Sequence, residues 1–141
     1  MTRLLCGRGF EIGEDGDMSP YTMNKIEEPM RCAVQFLECI GNKDADSAAS
    51  LLDEACVFLD MEERRAPIKG RAEIGDYFAD LFQRCPHSMI KVTEANNFPH
   101  KCLAAFAWSG LDNVKEKPLQ CIGIFEVRNA LILSINLFCK K

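Results

Sequence analysis

Eight cysteines and two histidines are the side chains of this 141-residue chain with the widest chemical reach. A thiol can pair, ligate zinc or attack carbon, and an imidazole can ligate or carry a proton. Their spacing withholds most of that chemistry. Among Cys6, Cys32, Cys39, Cys56, Cys85, Cys102, Cys121 and Cys139 there is no Cys-x-x-Cys, and the closest two, Cys32 and Cys39, stand seven positions apart. Two helical turns separate them, which puts both on one helix face and outside the spacings of zinc sites. Most of the eight sit in apolar periodic segments, where free Cys behaves as a small hydrophobe. His87 follows Cys85-Pro86 and His100 follows Phe98-Pro99, both turn positions, and no spacing ties either to a thiol as a nucleophile–base pair. The expectation is core thiols, with no metal and no cofactor.

Charge and length narrow the partners. Seventeen basic and 21 acidic residues leave a net charge of −4 with no basic patch, which argues against nucleic acid. No apolar run approaches the roughly 18 residues of a membrane span. The start, Met1 to Phe10, follows two leucines with Gly, Arg and Gly, unlike a secretory leader, so a reducing cytoplasm is expected. At 48% apolar, the chain holds enough for one core.

The elements that must position any site follow from periodicity. Residues 1–27, with Glu11, Glu14, Asp15 and Asp17 among Gly13, Gly16 and Pro20, read as a mobile arm before a domain over 28–141. Pro29 suits the first turn of a helix bearing Ala33, Phe36, Leu37 and Ile40, ended by Gly41-Asn42. Asp44 reads as the N-cap of a short second helix, and 55–59 as a short strand. A polar bend from Asp60 to Ala66 leads to a third helix over 71–84 with Ile74, Phe78, Leu81 and Phe82 at 3.6 spacing. The period then changes to two over 89–95, 102–110, 119–127 and 131–139, with a charged turn at 112–118. Three helices followed by antiparallel hairpins make an α+β fold. One face of the third and fourth of these strands carries Ile122, Ile124 and Ile132 among Gln120, Glu126, Ser134 and Asn136, a mixture suited to a partner.

The element order, the segment Pro-Ile-Lys-Gly-Arg-Ala-Glu-Ile-Gly-Asp-Tyr-Phe (67–78) and the closing Phe125-Glu-Val-Arg-Asn-Ala-Leu-Ile132 resemble the NTF2-like superfamily. Within it they are most similar to SnoaL-like and ketosteroid-isomerase-like proteins, over about residues 30–139. The resemblance implies a cone, with three N-terminal helices on a strongly curved, mostly antiparallel sheet, often holding a small apolar ligand. It also implies a homodimer through the outer sheet face with Ile122, Ile124 and Ile132.

By the same resemblance, the isomerases' general base falls within one position of Asp60. Their oxyanion donors land on Phe36 and Gly123, and two supporting tyrosines on Leu52 and Phe78. A phenyl ring and a hydrogen atom cannot donate to an enolate, so steroid isomerisation is disfavoured. The Arg-x-Asp pair of epoxide-hydrolase-like members and the cavity histidines of dehydratase-like members are missing too. The implied pocket is Phe36, Leu52, Phe78, Trp108, Cys121, Gly123 and Phe125, with Gly123 leaving room where relatives carry a carboxylate. The leading expectation is a binding module for a small apolar molecule. The alternatives are an isomerase, lyase or cyclase with Asp60 as sole base, and a non-catalytic dimerisation scaffold with a filled cone. Asp60 is either that base or a solvated turn carboxylate held ionised by Arg64 and Arg65.

Overall fold

The four period-two segments and two further strands form one six-stranded sheet with helices against its concave face. A computed structural model describes residues 20–61, 66–111 and 117–140. In chain order the elements are α1 (Pro20–Gly41), α2 (Ala45–Ser50), β1 (Leu52–Asp60), β2 (Ile68–Lys69), α3 (Arg71–Arg84), β3 (Met89–Phe98), β4 (Lys101–Ser109), β5 (Leu119–Arg128) and β6 (Leu131–Lys140). The strand order is β2-β1-β6-β5-β4-β3, antiparallel except where β1 runs parallel to β6. The α+β class and the three helices stand as expected. Most of the proposed arm (1–19), residues 62–65 of the bend and 112–116 of the charged turn lie outside the described residues. No helix among the described residues is long and apolar enough to cross a membrane.

The start of α1 corrects the sequence reading. The helix begins at Pro20, so Pro29 is inside it rather than in its first turn. Proline has no N–H to donate and crowds the preceding turn, so it interrupts the helical ladder. At this break the Met30 N–H donates to Asn97 Oδ1 of β3 at 2.9 Å, as an N-terminal amide meets a cap. The sequence signal at Pro29 was a real discontinuity in the hydrogen bonding, with helix on both sides of it.

α2 starts as read: Asp44 accepts from the Ser47 amide at 3.1 Å and from its hydroxyl at 2.7 Å. Gly70 at φ +98 turns the chain into α3, whose Ile74, Phe78, Leu81 and Phe82 are buried.

A second correction concerns Ile132. It is 0% exposed, in the core and not on the outer face with Ile122 and Ile124. Glu126 pairs with Ser134 but Val127 pairs with Ile132, so Leu133 is an extra residue on β6. One inserted residue reverses which face every earlier side chain points to, because strand side chains alternate with period two. Ile135, Leu137 and Cys139 therefore share the inner face with Ile132. What stands on the outer face is Ile122, 43% exposed, opposite Phe138, 38% exposed, with Ile124 half-buried beside them.

Candidate functional site

The concave face is built on four aromatic rings delivered by different elements. Phe36 of α1 meets Phe78 of α3 edge-on at 5.8 Å between centroids, and Phe125 of β5 at 6.0 Å. Phe58 of β1 meets Phe78 at 5.5 Å. Edge-to-face pairs at these separations are favourable beyond the area they bury. They arise because the 3.6 period of α1 and α3 and the period of two in β1 and β5 each aim one row at the same focus.

At that focus lies a void of about 20 Å³. Phe36, Phe78, Trp108 and Phe125 line it, four of the seven sequence-proposed pocket residues. The other three do not. Leu52 is fully buried at the far end of β1, where its carbonyl accepts from Arg71 Nε at 3.0 Å. Cys121 lies opposite Cys139 in the β5–β6 ladder. Gly123 leaves no open room: a Cβ there would stand 2.8 Å from Phe125 Cε1 and 3.6 Å from Phe106 Cε1. The expected space above Gly123 is filled by the Phe125 ring, folded back over its own strand.

Sequence reasoning did not name the other lining residues, among them Leu37, Ile90, Phe58 and Leu137. For Phe58 and Leu137 a signal existed, since each shares a period-two inner row with residues already assigned to the core. Leu37 was legible as part of the apolar stripe of α1, but its meeting with Ile90 was not, because the two come together only where α1 lies across β3. A larger cleft of about 500 Å³ opens outside them, between α1 (Val34, Glu38, Gly41, Asn42) and β3 (Met89, Val92).

The surface of the void is apolar throughout. Among the described residues, Trp108 Nε1 is the one buried side-chain nitrogen or oxygen without a hydrogen-bond partner. Asp60 does not line the void. It ends β1 half-buried, two residues after Phe58 on the same alternating row. Asp60 is thus a strand-end carboxylate rather than a turn residue, and Arg64 and Arg65 lie outside the described residues. Its charge reaches Cys121, whose thiol is held well above its ordinary range. A hydrogen bond with Cys139 is the main cause, followed by burial and then by the charges of Cys139 and Asp60. Burial also pushes Cys102 and Cys56 up to about 12. These thiols stay protonated, which suits core packing and not nucleophilic attack. His87 and His100 are both exposed in turns.

A family model described as SnoaL-like domain matches residues 33–135. The chain belongs to the SnoaL-like domain family. Solved structures agree on the fold of this SnoaL-like domain. A candidate ketosteroid isomerase from Kribbella flavida has TM-score 0.71 at 17% identity, covering 84% of this chain and 82% of that one. A candidate SnoaL-like polyketide cyclase from Jannaschia has TM-score 0.72 at 10% identity, covering 88% and 90%. A candidate isomerase from Bacillus subtilis has TM-score 0.67 at 22% identity, covering 83% and 89%. At such identities the likeness is one of fold, which hosts many chemistries. Among curated proteins none matches the chain.

Proposed function

We propose that this SnoaL-like domain binds a small apolar molecule on its concave face, without steroid isomerisation. The observation that carries this reading is the chemistry around the void. Its lining is wholly apolar, and the positions where a ketosteroid isomerase needs donors are Phe36 and Gly123. Nothing there can stabilise an enolate oxygen, whereas apolar walls suit an apolar guest. A guest of any size requires the walls to part, since 20 Å³ is room for about one water. The test is titration with N-phenylnaphthylamine, an uncharged dye that fluoresces in apolar surroundings. Saturable uptake of one dye per chain, with energy transfer from the single tryptophan, is expected, together with loss of affinity in Trp108→Ala. Absence of saturable uptake would favour a filled scaffold instead.

A second reading has one observation behind it. Asp60 shares the inward row with Phe58 at the edge of the aromatic cluster, where a general base for an isomerase, lyase or cyclase would stand. We further propose a homodimer through the outer sheet face, where Ile122 pairs with Phe138 and Leu103 with Ile124. An isologous pairing would cover that apolar patch. A reducing cytoplasm suits the seven described cysteines, all free thiols.

A further inference from the structure

Cys121 of β5 and Cys139 of β6 stand directly opposite each other in the antiparallel β5–β6 ladder. No other two cysteines among the described residues are partners across a ladder. Opposite residues of a sheet share a face, and here it is the inner one, with Cys121 2% exposed and Cys139 9%.

The type of pair decides what two thiols can do there. Leu137 of β6 lies opposite Gly123, and its carbonyl accepts from the Met61 amide at 2.9 Å, on the side away from β5. Backbone direction alternates along a strand, so Cys139, two positions on, also turns its backbone groups away from β5. Cys121 and Cys139 therefore form a non-hydrogen-bonded pair, the closer of the two antiparallel kinds, with Cα atoms about 4.5 Å apart. A disulfide accepts about 4.4–6.8 Å. The two thiols already share a hydrogen bond.

This end of β6 is also the part held least. β1 pairs with β6 as far as Asp60 opposite Leu137, whereas β5 continues through Cys121 and Gln120 to Cys139 and Lys140. Phe138, Cys139 and Lys140 are thus fixed through the β5 ladder alone among the described pairings. Strand ends held on one side open locally at low free energy. Cys139, the more exposed of the two, is the thiol an oxidant reaches first.

We propose that Cys121 and Cys139 are a redox site, joined by a peroxide into a reversible disulfide that pins the end of β6 to β5, and parted again by a small thiol such as glutathione. The Cys139 thiolate attacks one peroxide oxygen; the S–O bond forms, the O–O bond breaks, and the departing hydroxide takes up the proton that Cys139 gave up. Cys121 Sγ then attacks the Cys139 sulfur; the S–S bond forms, the S–O bond breaks, and the Cys121 proton leaves with the hydroxyl as water. Two thiols lose two electrons, one peroxide gains them, and two waters result. In the reduced protein the Cys121 proton is held mainly by the hydrogen bond with Cys139. Oxidation of Cys139 removes that partner thiol and releases Cys121 for the second step. The site is independent of any guest on the concave face.

The experiment treats the folded full chain with one equivalent of hydrogen peroxide, alkylates the remaining thiols in denaturant and maps the peptides by mass spectrometry. One disulfide, Cys121–Cys139, is expected, with the other six cysteines alkylated and the bond lost on incubation with glutathione. Amide exchange at Phe138 and Lys140, whose N–H groups face β5, should slow several-fold in the oxidised protein. Cys121→Ala should halt the reaction at Cys139, where dimedone traps the sulfenic acid, and Cys139→Ala should leave Cys121 unmodified. A first disulfide through any other cysteine, or Cys139 carried to sulfinic acid with Cys121 still alkylated, would overturn the pairing. Two intact thiols after excess peroxide would overturn the site itself. These outcomes are read in the parent chain and need no variant to fold. Unchanged exchange at Phe138 and Lys140 in the disulfide form would overturn the pinning.

Discussion

Gly123→Ala isolates the consequence of a ring folded over a strand. The new methyl would stand 2.8 Å from Phe125 Cε1 and 3.2 Å from Cζ, where carbon–carbon contacts settle near about 3.5–4.0 Å. The ring must retreat by most of an ångström. It is 1% exposed and held edge-on by Phe36 at 6.0 Å, so its displacement spreads into α1. Inserting a methyl into such packing costs about 1–3 kcal/mol. Replacing glycine recovers about 0.4–1 kcal/mol by reducing the freedom of the unfolded chain. The balance is a loss of about 1–2 kcal/mol, or a fall of roughly 3–8 °C in Tm. Urea unfolding followed by Trp108 fluorescence measures it directly, with the slope against denaturant checked for constancy. Phe125→Leu supplies the control. It is itself destabilising, but in that background Gly123→Ala should become neutral or stabilising, giving a coupling of about 1 kcal/mol or more. If Gly123→Ala is as stable as the parent, the ring does not occupy that space and the glycine leaves a pocket after all.

Three further outcomes are expected. Ile124→Lys should convert the proposed dimer to monomer, because it brings two ammonium groups to one apolar patch; light scattering that still reads dimer mass would put the interface elsewhere. Asp60→Asn should leave dye affinity unchanged and, if an isomerase, lyase or cyclase substrate is found, lower turnover by about 10²–10⁴-fold; an unaffected rate would remove Asp60 from the chemistry. Stability should decline above pH 9. Burial pushes Cys102 up to about 12, so the native state keeps a proton that the unfolded chain releases from its ordinary value of 9.0 upward. With fewer protons on the unfolded chain, stability falls by about 1.4 kcal/mol per pH unit for that thiol between the two values. Cys56, raised to about 12 first by burial and then by Asp53, adds in the same direction. Thermal melts that do not move between pH 8 and 10 would refute this.

Local pattern carried most of the fold. The stripe Ile74, Phe78, Leu81 and Phe82 and the alternation through Cys102, Ala104, Phe106 and Trp108 are periodic along the chain, and their burial follows from the period alone. Asp44 as a cap is likewise local, since donor and acceptor lie three residues apart. The placing of Phe36, Phe78, Trp108 and Phe125 around one pocket came from the family resemblance and not from the period.

What tertiary structure decided lies where distant residues share a space or where one residue breaks a period. Leu133 is the plainest case: nothing in its type marks a bulge, yet inserting it against Glu126 moves Ile132 from the proposed dimer face into the core. Pro29 marks a break in hydrogen bonding, but only Asn97, 67 residues beyond Met30, shows how the Met30 amide is met. Gly123 says that a side chain is missing and cannot say which neighbour fills the gap, because Phe125 reaches it by a side-chain torsion absent from any periodic pattern. Leu37 and Ile90 come to line the same void and the same cleft only because α1 crosses the edge strand β3. Periodicity tells which way a side chain points, whereas a site depends on what stands opposite it, and that is set by packing between elements far apart in the chain.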